Sequence, residues 1–389
     1  MNRPLLVASV LTLAWFRGPA SAQAPAPAPN PWHIAAGLGD EAFLSGDFGQ
    51  HGFAFLDVKR DDVARGRLHL LYNTDTLQAG LEGIRLADGK LELSVVARGE
   101  ALLAGLLFDY YRDGTRDTGR SFYASYVQLL PSLKWHPAPR HSLELVAGMR
   151  QWFFRDNATT EDTFTLPANT FVFEPRLNYT YWRIRAPSSE WEAHRIHPRI
   201  EGVAIGVSVG LDRRTQSRPW GADVGGQLDP RNDPGAVVLT TRQWLYAGAR
   251  LGGLVRLQFE EHASYGVGED DLTRNRVGGM NPYVVPIAGL PWAAVLSERL
   301  VSGRATLHVR TGRQAPHEVG VGVDGAVFSD PHRTGAIGSY GGAGGAYLFG
   351  DFRTGRFQLH GRVAYGFPAP SLDQPPNLSA LVFAGVRIR

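Results

Sequence analysis

Alternation with period two, repeated in segment after segment, is the feature that most limits what this chain can fold into. Phe357, Leu359, Gly361, Val363, Tyr365 and Phe367 form one mostly apolar face, and Gln358, His360, Arg362, Ala364 and Gly366 form the other. Gln258–Tyr265, Gly303–Arg310 and Val319–Val327 keep the same period. Ile200–Leu211 keeps it most cleanly, with Val203, Ile205, Val207, Val209 and Leu211 on one side and Gly202, Ala204, Gly206, Ser208 and Gly210 on the other. Such a period belongs to strands whose two faces meet different surroundings. A soluble sandwich also alternates, but its polar face meets bulk water and its apolar face a compact core. In this chain aromatics gather toward segment ends, and Arg, His and Gln recur on the second face. That suits lipid outside and a wet lumen inside. The expected fold class is all-β, a transmembrane antiparallel β-barrel of about 16 strands.

The N-terminus supplies the route to a membrane. Residues 1–22 read as a signal peptide: Arg3 gives the positive start, Leu5–Phe16 the apolar core, and Ala20-Ser21-Ala22 a small-residue cleavage site. The apolar core is shorter than the ~20 residues a spanning helix needs. Gln23, not Cys, follows the cut, which argues against lipid attachment. Residues 23–31 form a Pro/Ala linker, and residues 32–389 are assigned to the barrel. No later run reaches ~18 apolar residues, and a barrel is the remaining way to cross a bilayer. An exported barrel belongs in the outer membrane of a Gram-negative bacterium.

Composition closes several other routes. The chain has no cysteine, so disulfides, thiolate nucleophiles and Cys-based zinc sites are excluded. Net charge is only +3, lysine occurs only at 59, 90 and 134, and no basic stripe interleaves with aromatics. Nucleic acid is therefore not an expected partner. Arginine favours bidentate pairing with carboxylates and phosphates. Lumen-wall ion pairs, involving Arg256, Glu260 and Arg362, are the main expected use, with lipopolysaccharide phosphates at the rim as a second. Glu269-Asp270-Asp271 lacks the spacing of an oxygen cage and reads as a solvated rim. His141 and Ser142 are adjacent and point to opposite faces, so they cannot act as base and nucleophile. His194, Arg195 and His197 lack zinc-site spacing. No enzyme activity, cofactor or metal is expected, and the protein is expected to be a monomer among outer-membrane lipids.

Along the chain, Gly52–Lys59 and Gly66–Tyr72 read as the first strands. Leu77–Leu86 and Lys90–Arg98 flank Ala87-Asp88-Gly89, a hairpin signal. Ala101–Tyr111 is ambiguous between a helical turn and a strand. Phe122–Trp135 and Ser142–Phe154 form the next hairpin. Tyr179, Tyr181 and Trp182 together read as an interfacial aromatic girdle. The count comes to fourteen to sixteen strands, and outer-membrane barrels prefer even numbers.

From about Tyr265 an ordered set of motifs appears. Arg276-Val277-Gly278-Gly279 opens a long segment that reaches Ile287-Ala288-Gly289-Leu290. The strand Arg304–Arg310 carries His308 near its centre. Val321-Gly322-Val323-Asp324-Gly325, the glycine-rich stretch from Ser339 to Gly344 with Phe357–Phe367, and Leu381–Arg389 follow. This set resembles the Omp85 superfamily, the BamA/TamA type of outer-membrane assembly barrel. The resemblance implies a loop, Glu269–Leu296, that folds into the lumen, with Gly278 and Gly279 near its start and a tip at Gly289. It places Asp324 on the family's Asp-x-Gly strand, within reach of the loop, Arg304 or His308. Ala288 stands where the family has arginine, Leu290 where it has an aromatic, and His308 where it has glutamate. A buried acid without its cation is costly, so losing arginine and glutamate together is less puzzling than losing one. Family members that insert or secrete proteins usually carry periplasmic POTRA domains. The stretch from Pro31 to Gly52 has no room for one, so the resemblance implies a barrel-only member.

Two functions compete. In the first, a seam between first and last strands opens to assist insertion or translocation of a client protein or a lipid. The glycines of Gly341–Gly345 and a closing strand ending in Ile388-Arg389 leave few side chains to lock that seam. In the second, the barrel is a passive pore whose charged lumen, Arg256, Glu260, Arg304 and Arg362, sets ion selectivity.

Overall fold

Sixteen strands form one ring. They are β1 (Trp32–Phe43), β2 (Gln50–Val63), β3 (Gly66–Asn73), β4 (Thr76–Leu86), β5 (Leu91–Glu100), β6 (Thr115–Trp135), β7 (His141–Arg155) and β8 (Phe171–Ile184). Then come β9 (Gly202–Arg214), β10 (Val237–Leu251), β11 (Val255–Val267), β12 (Arg299–Arg310), β13 (Glu318–Ser329), β14 (Tyr340–Thr354), β15 (Phe357–Gly366) and β16 (Asn377–Arg387). Each pairs antiparallel with its chain neighbours, and β1 pairs with β16 from Ala35↔Arg387 to Phe43↔Ser379, which closes the barrel. The computed structural model describes residues 32–43, 50–73, 76–100, 106–112, 115–184, 201–222, 232, 235–278, 285, 287–290, 295–312, 317–329, 340–354, 356–369 and 376–387.

Alternation decides which face looks out. On β13, Val319, Val321, Val323 and Val327 are exposed, while Glu318, Asp324, Ala326 and Phe328 are buried. On β9 the five apolar residues from Val203 to Leu211 all lie on the exposed side, and Ala204 is fully buried. The outward face is thus mostly apolar, a surface for lipid, and most of the charged side chains turn inward. One end of the ring carries tight turns, such as Ala87–Gly89, where Asp88 (φ 56°) and Gly89 (φ 81°) adopt the left-handed conformation of a short hairpin. Both β1 and β16 have their outer termini at this short-turn end. The opposite end carries long connections, including 156–170, 215–236 and 268–298.

Three sequence expectations need correction. The first strand is Trp32–Phe43, and Gly52–Lys59 lies in the second, so the seam is β1/β16. Trp182 does not join Tyr179 in an outward girdle: it packs against the inward cluster of Ala204 and Tyr246. Of Ala101–Tyr111, the described part is strand; Leu106–Arg112 pairs with the first half of β6, Leu106↔Ala124 to Arg112↔Thr115, as a hairpin extension at the long-loop end. The signal peptide and linker, Gly279, His194, Arg195, His197 and Ile388-Arg389 lie outside the described residues.

A ring closed by a continuous hydrogen-bond ladder resists detergent. The unheated protein is expected to migrate faster than the boiled protein on a denaturing gel, and identical mobility would contradict closure.

Candidate functional site

Val285 and Ile287–Leu290 of the 268–298 connection pack on the inward wall of β12 to β15. Ala288 N donates to Asp324 Oδ1 at 2.8 Å, and Ile287 and Ala288 are almost fully buried. The Ala288 methyl sits with Tyr347, Phe349 and Ala364, and Ile287 and Leu290 pack with Val277, Val285, Leu300 and Phe328. Glycine is required at the closest approach. Gly289 has φ +72°, and a Cβ there would run into the Gly366 backbone, while a Cβ on Gly345 would run into the Ala288 carbonyl. Glycines at these positions let backbone lie on backbone. Gly278, also left-handed at φ 116°, donates its N–H to the Val285 carbonyl and turns the chain at the base of the loop.

Asp324 is the electrostatic centre of this contact. Arg304 Nη2 lies 3.6 Å and Arg362 Nη2 3.5 Å from Asp324 Oδ2. Arg362 stacks on the Tyr347 ring, its Cζ 3.6 Å from the centroid. Glu260 extends the chain of charges, 3.9 Å from Arg304. The tip residue Ala288 brings no cation, and the acid is instead matched by two arginines rooted in the barrel wall. His308 does not reach Asp324. Its Nδ1 faces Glu318 Oε2 at 3.5 Å, and the same carboxylate pairs with Arg256 at 3.0 Å. Arg256, Glu260 and Arg362 therefore all face the lumen, each beside an opposite charge.

The acid run at the start of the loop is not a solvated rim. Asp270 and Asp271 are 0% and Glu269 only 5% exposed. Asp270 takes a bidentate pair from Arg214 at 2.9 and 2.8 Å, the Trp220 indole N–H at 3.0 Å, and the Thr273 hydroxyl at 2.8 Å. Burial alone would raise the Asp270 carboxyl, but Arg214 and these hydrogen bonds hold it well below the usual carboxylate range. Burial pushes its neighbour Glu269 up to about 8. Asp271 pairs with Arg274, which also reaches Glu298 at 2.9 Å. Beside this hub, Trp220, Phe164 and Leu272 from three long connections pack with Phe122, Tyr126 and Trp152 of the wall. The loops thus fill the long-loop mouth from within. The spacing of Asp270, Thr273 and Arg274, an acid whose side chain and carbonyl bind three and four residues on, is the one local sign of this turn.

The seam has its own lock. Phe383 of β16 reaches inward across β1 and stacks between Phe53 and Phe55 of β2, with centroids 6.0 and 5.9 Å apart. Gly37 and Gly39 of β1 leave the space these rings occupy. The rest of the seam mixes small pairs, Gly37↔Gly385 and Ala42↔Ala380, with larger ones, Asp40↔Val382, Glu41↔Leu381 and Phe43↔Ser379. The closing strand is therefore clasped by an aromatic after all, several residues before its end.

The barrel is similar in fold to BamA from Haemophilus ducreyi lacking POTRA domains 1-3, with a TM-score of 0.61 at 12% identity, covering 92% of this chain and 70% of that one. CdiB from Escherichia coli gives 0.60 at 11% identity over 95% of this chain and 64% of its own. CdiB from Acinetobacter baumannii gives 0.54 at 10% identity over 92% and 60%. The chain thus spans less than two thirds of either CdiB chain. No protein-family model matches the sequence, and no curated protein matches it.

If Asp324 holds the loop tip, Asp324→Ala removes the acceptor for Ala288 and leaves Arg304 and Arg362 facing each other. That should cost about 3 kcal/mol of docking, the usual order for a buried charge left without its partner. Residues 285–290 should then exchange amide hydrogens roughly a hundredfold faster by mass spectrometry. Unchanged protection would assign the docking to the apolar contacts alone.

Proposed function

We propose that this chain is an outer-membrane protein of the Omp85 superfamily that helps a client protein or a lipid into or across that membrane through the β1/β16 seam. The long-loop end faces the exterior and the short-turn end the periplasm, as in bacterial barrels generally. The observation that carries the reading is the construction of the seam. Eight of its eighteen paired residues are Gly or Ala, and on the inside it is closed by the aromatic clasp Phe53–Phe383–Phe55 with Leu381 beside it. Breaking one clasp frees a strand edge that could pair with an incoming strand. The fold shared with BamA and CdiB barrels, and the ordered motifs from Arg276 to Gly325, support the same conclusion.

The pore reading has less support. The lumen charges named above neutralise one another in pairs, and Phe164, Trp220 and Leu272 from three connections pack in the long-loop mouth. A conducting, ion-selective path needs charges free to meet ions.

Leu38 and Ala384 are directly opposed across the seam on its outer face. With both replaced by cysteine and joined by a disulfide or a short bis-maleimide, the barrel stays folded but cannot part. The stapled protein is expected to fail to rescue a deletion strain, and reduction of the disulfide form to restore rescue. Full rescue by the stapled form, with steady conductance in planar bilayers, would replace this reading with the pore.

A further inference from the structure

The outward face is not uniformly apolar. Across β10 to β14 the pairing registers stack side chains in level rows. The row nearest the long-loop end reads Thr241, Tyr265, Arg299 and, across Ser329, Tyr340. The row below it reads Gln243, Ala263, Val301, Val327 and Gly342, and the next reads Glu261, Gly303, Gly325 and Gly344. On β9 and β13 the outward face carries mainly Val, Ile and Leu. Along these rows it is hollowed, and a groove of about 420 Å³ opens along β10–β14, lined by Thr241, Gln243, Ala263, Tyr265, Arg299 and Tyr340 among others. That volume is in the range of ligand pockets, roughly 300–1,000 Å³.

The chemistry of the groove is graded. At its top the Arg299 guanidinium lies 5.1 Å from the Tyr265 ring centroid, and Tyr340 lines the same groove. Its neighbour Glu298 is engaged by Arg274, so among the described residues no carboxylate pairs with Arg299. Tyrosines at a membrane interface flanking an unmatched guanidinium suit a phosphate. Below it, small side chains leave room for hydrocarbon. On one edge, Gln243 donates to Glu261 at a weak 3.4 Å. Same-face residues along a strand are about 7 Å apart, so these polar groups stand about 7 and 13 Å beneath the cation. A carboxylate at the middle of a lipid-facing strand is costly without a hydrogen-bonding companion.

We propose that this groove is a binding site for one molecule of the lipid A portion of lipopolysaccharide. Its phosphate sits on Arg299, one acyl chain lies in the groove over Ala263, Val301 and Val327, and the amide and hydroxyl groups near the acyl root meet Gln243, which Glu261 below the groove accepts from. A glycerophospholipid offers the phosphate but has only esters at that depth. The assignment rests on the exterior placement of the long-loop end, which puts Arg299 in the outer leaflet.

Native mass spectrometry of the purified barrel, titrated with bisphosphorylated lipid A, tests it without reference to insertion or transport. Lipid A should be retained one to one. Arg299→Ala, and Ala263→Phe, which fills the groove with an apolar side chain, should each weaken retention by about tenfold, the size of one lost charge-assisted hydrogen bond. Dephosphorylated lipid A and phosphatidylglycerol should fall short by a similar factor. Equal retention by the wild type and both variants, or of phosphatidylglycerol and lipid A, would overturn the site. Circular dichroism of each variant confirms the fold. Because binding is read on isolated protein, failure here leaves the seam proposal untouched, and failure of the seam staple leaves this one standing.

Discussion

Everything in this barrel depends on the pairing of its first strand with its last. In hydrocarbon an unpaired N–H or carbonyl has no water to turn to, so a sheet can cross a bilayer only when its two edges meet. The chain meets that demand with nine residue pairs between β1 and β16, in which Gly and Ala supply eight of the eighteen residues. Closure then fixes the rest. It sets which residues face lipid, turns most charges inward, and brings Phe383 against the rings of β2. Where backbone bonds carry most of the stability, side chains at the joint can stay small. The phenylalanine clasp adds a side-chain contact across that joint.

The lumen shows the same economy. Burying isolated charges is costly, but paired ones can be retained, and the interior is organised as pairs: Arg256 with Glu318, Arg304 and Arg362 with Asp324, and Arg214 with Asp270. Asp324 holds the tip of the 268–298 connection, and Asp270, within that connection, ties its base to Arg214. At the tip the loop offers a backbone N–H and the wall supplies both cations. Ala288 can therefore stand where the resembling family carries arginine, because the charge balance of the site no longer passes through the loop. A tip held by one hydrogen bond and by glycine-to-glycine packing fits closely without a charge of its own.

Much of this was legible in the sequence, for a local reason. Alternation over six or more residues, as in Val203–Leu211 and Phe357–Phe367, specifies strand, inward face and outward face together. Asp88-Gly89 marks its hairpin because the backbone there must be left-handed. What escaped depended on distant partners. β1 hides because its outward residues, Ala36, Leu38, Asp40 and Ala42, include a carboxylate and two small residues, so it shows little polarity between faces. Asp270 reads as surface until Arg214 is found 56 residues earlier in the chain. Trp182 turns inward because Ala204 and Tyr246 leave it room, which its aromatic neighbours conceal. Phe383 is invisible as a lock because the rings it meets belong to a strand more than 300 residues away.

The central claim is that the β1/β16 seam is the moving part. Spin labels on Ala42 of β1 and Leu348 of β14, both outward and three strand spacings apart, would stand with backbones about 14 Å apart in the closed barrel. Pulsed electron paramagnetic resonance on the protein in detergent should give one short distance. The same pair in native outer membranes should add a second population at least about 10 Å longer, and Phe383→Ala should enlarge it. A single short distance in both settings, unchanged by Phe383→Ala, would contradict a seam that opens.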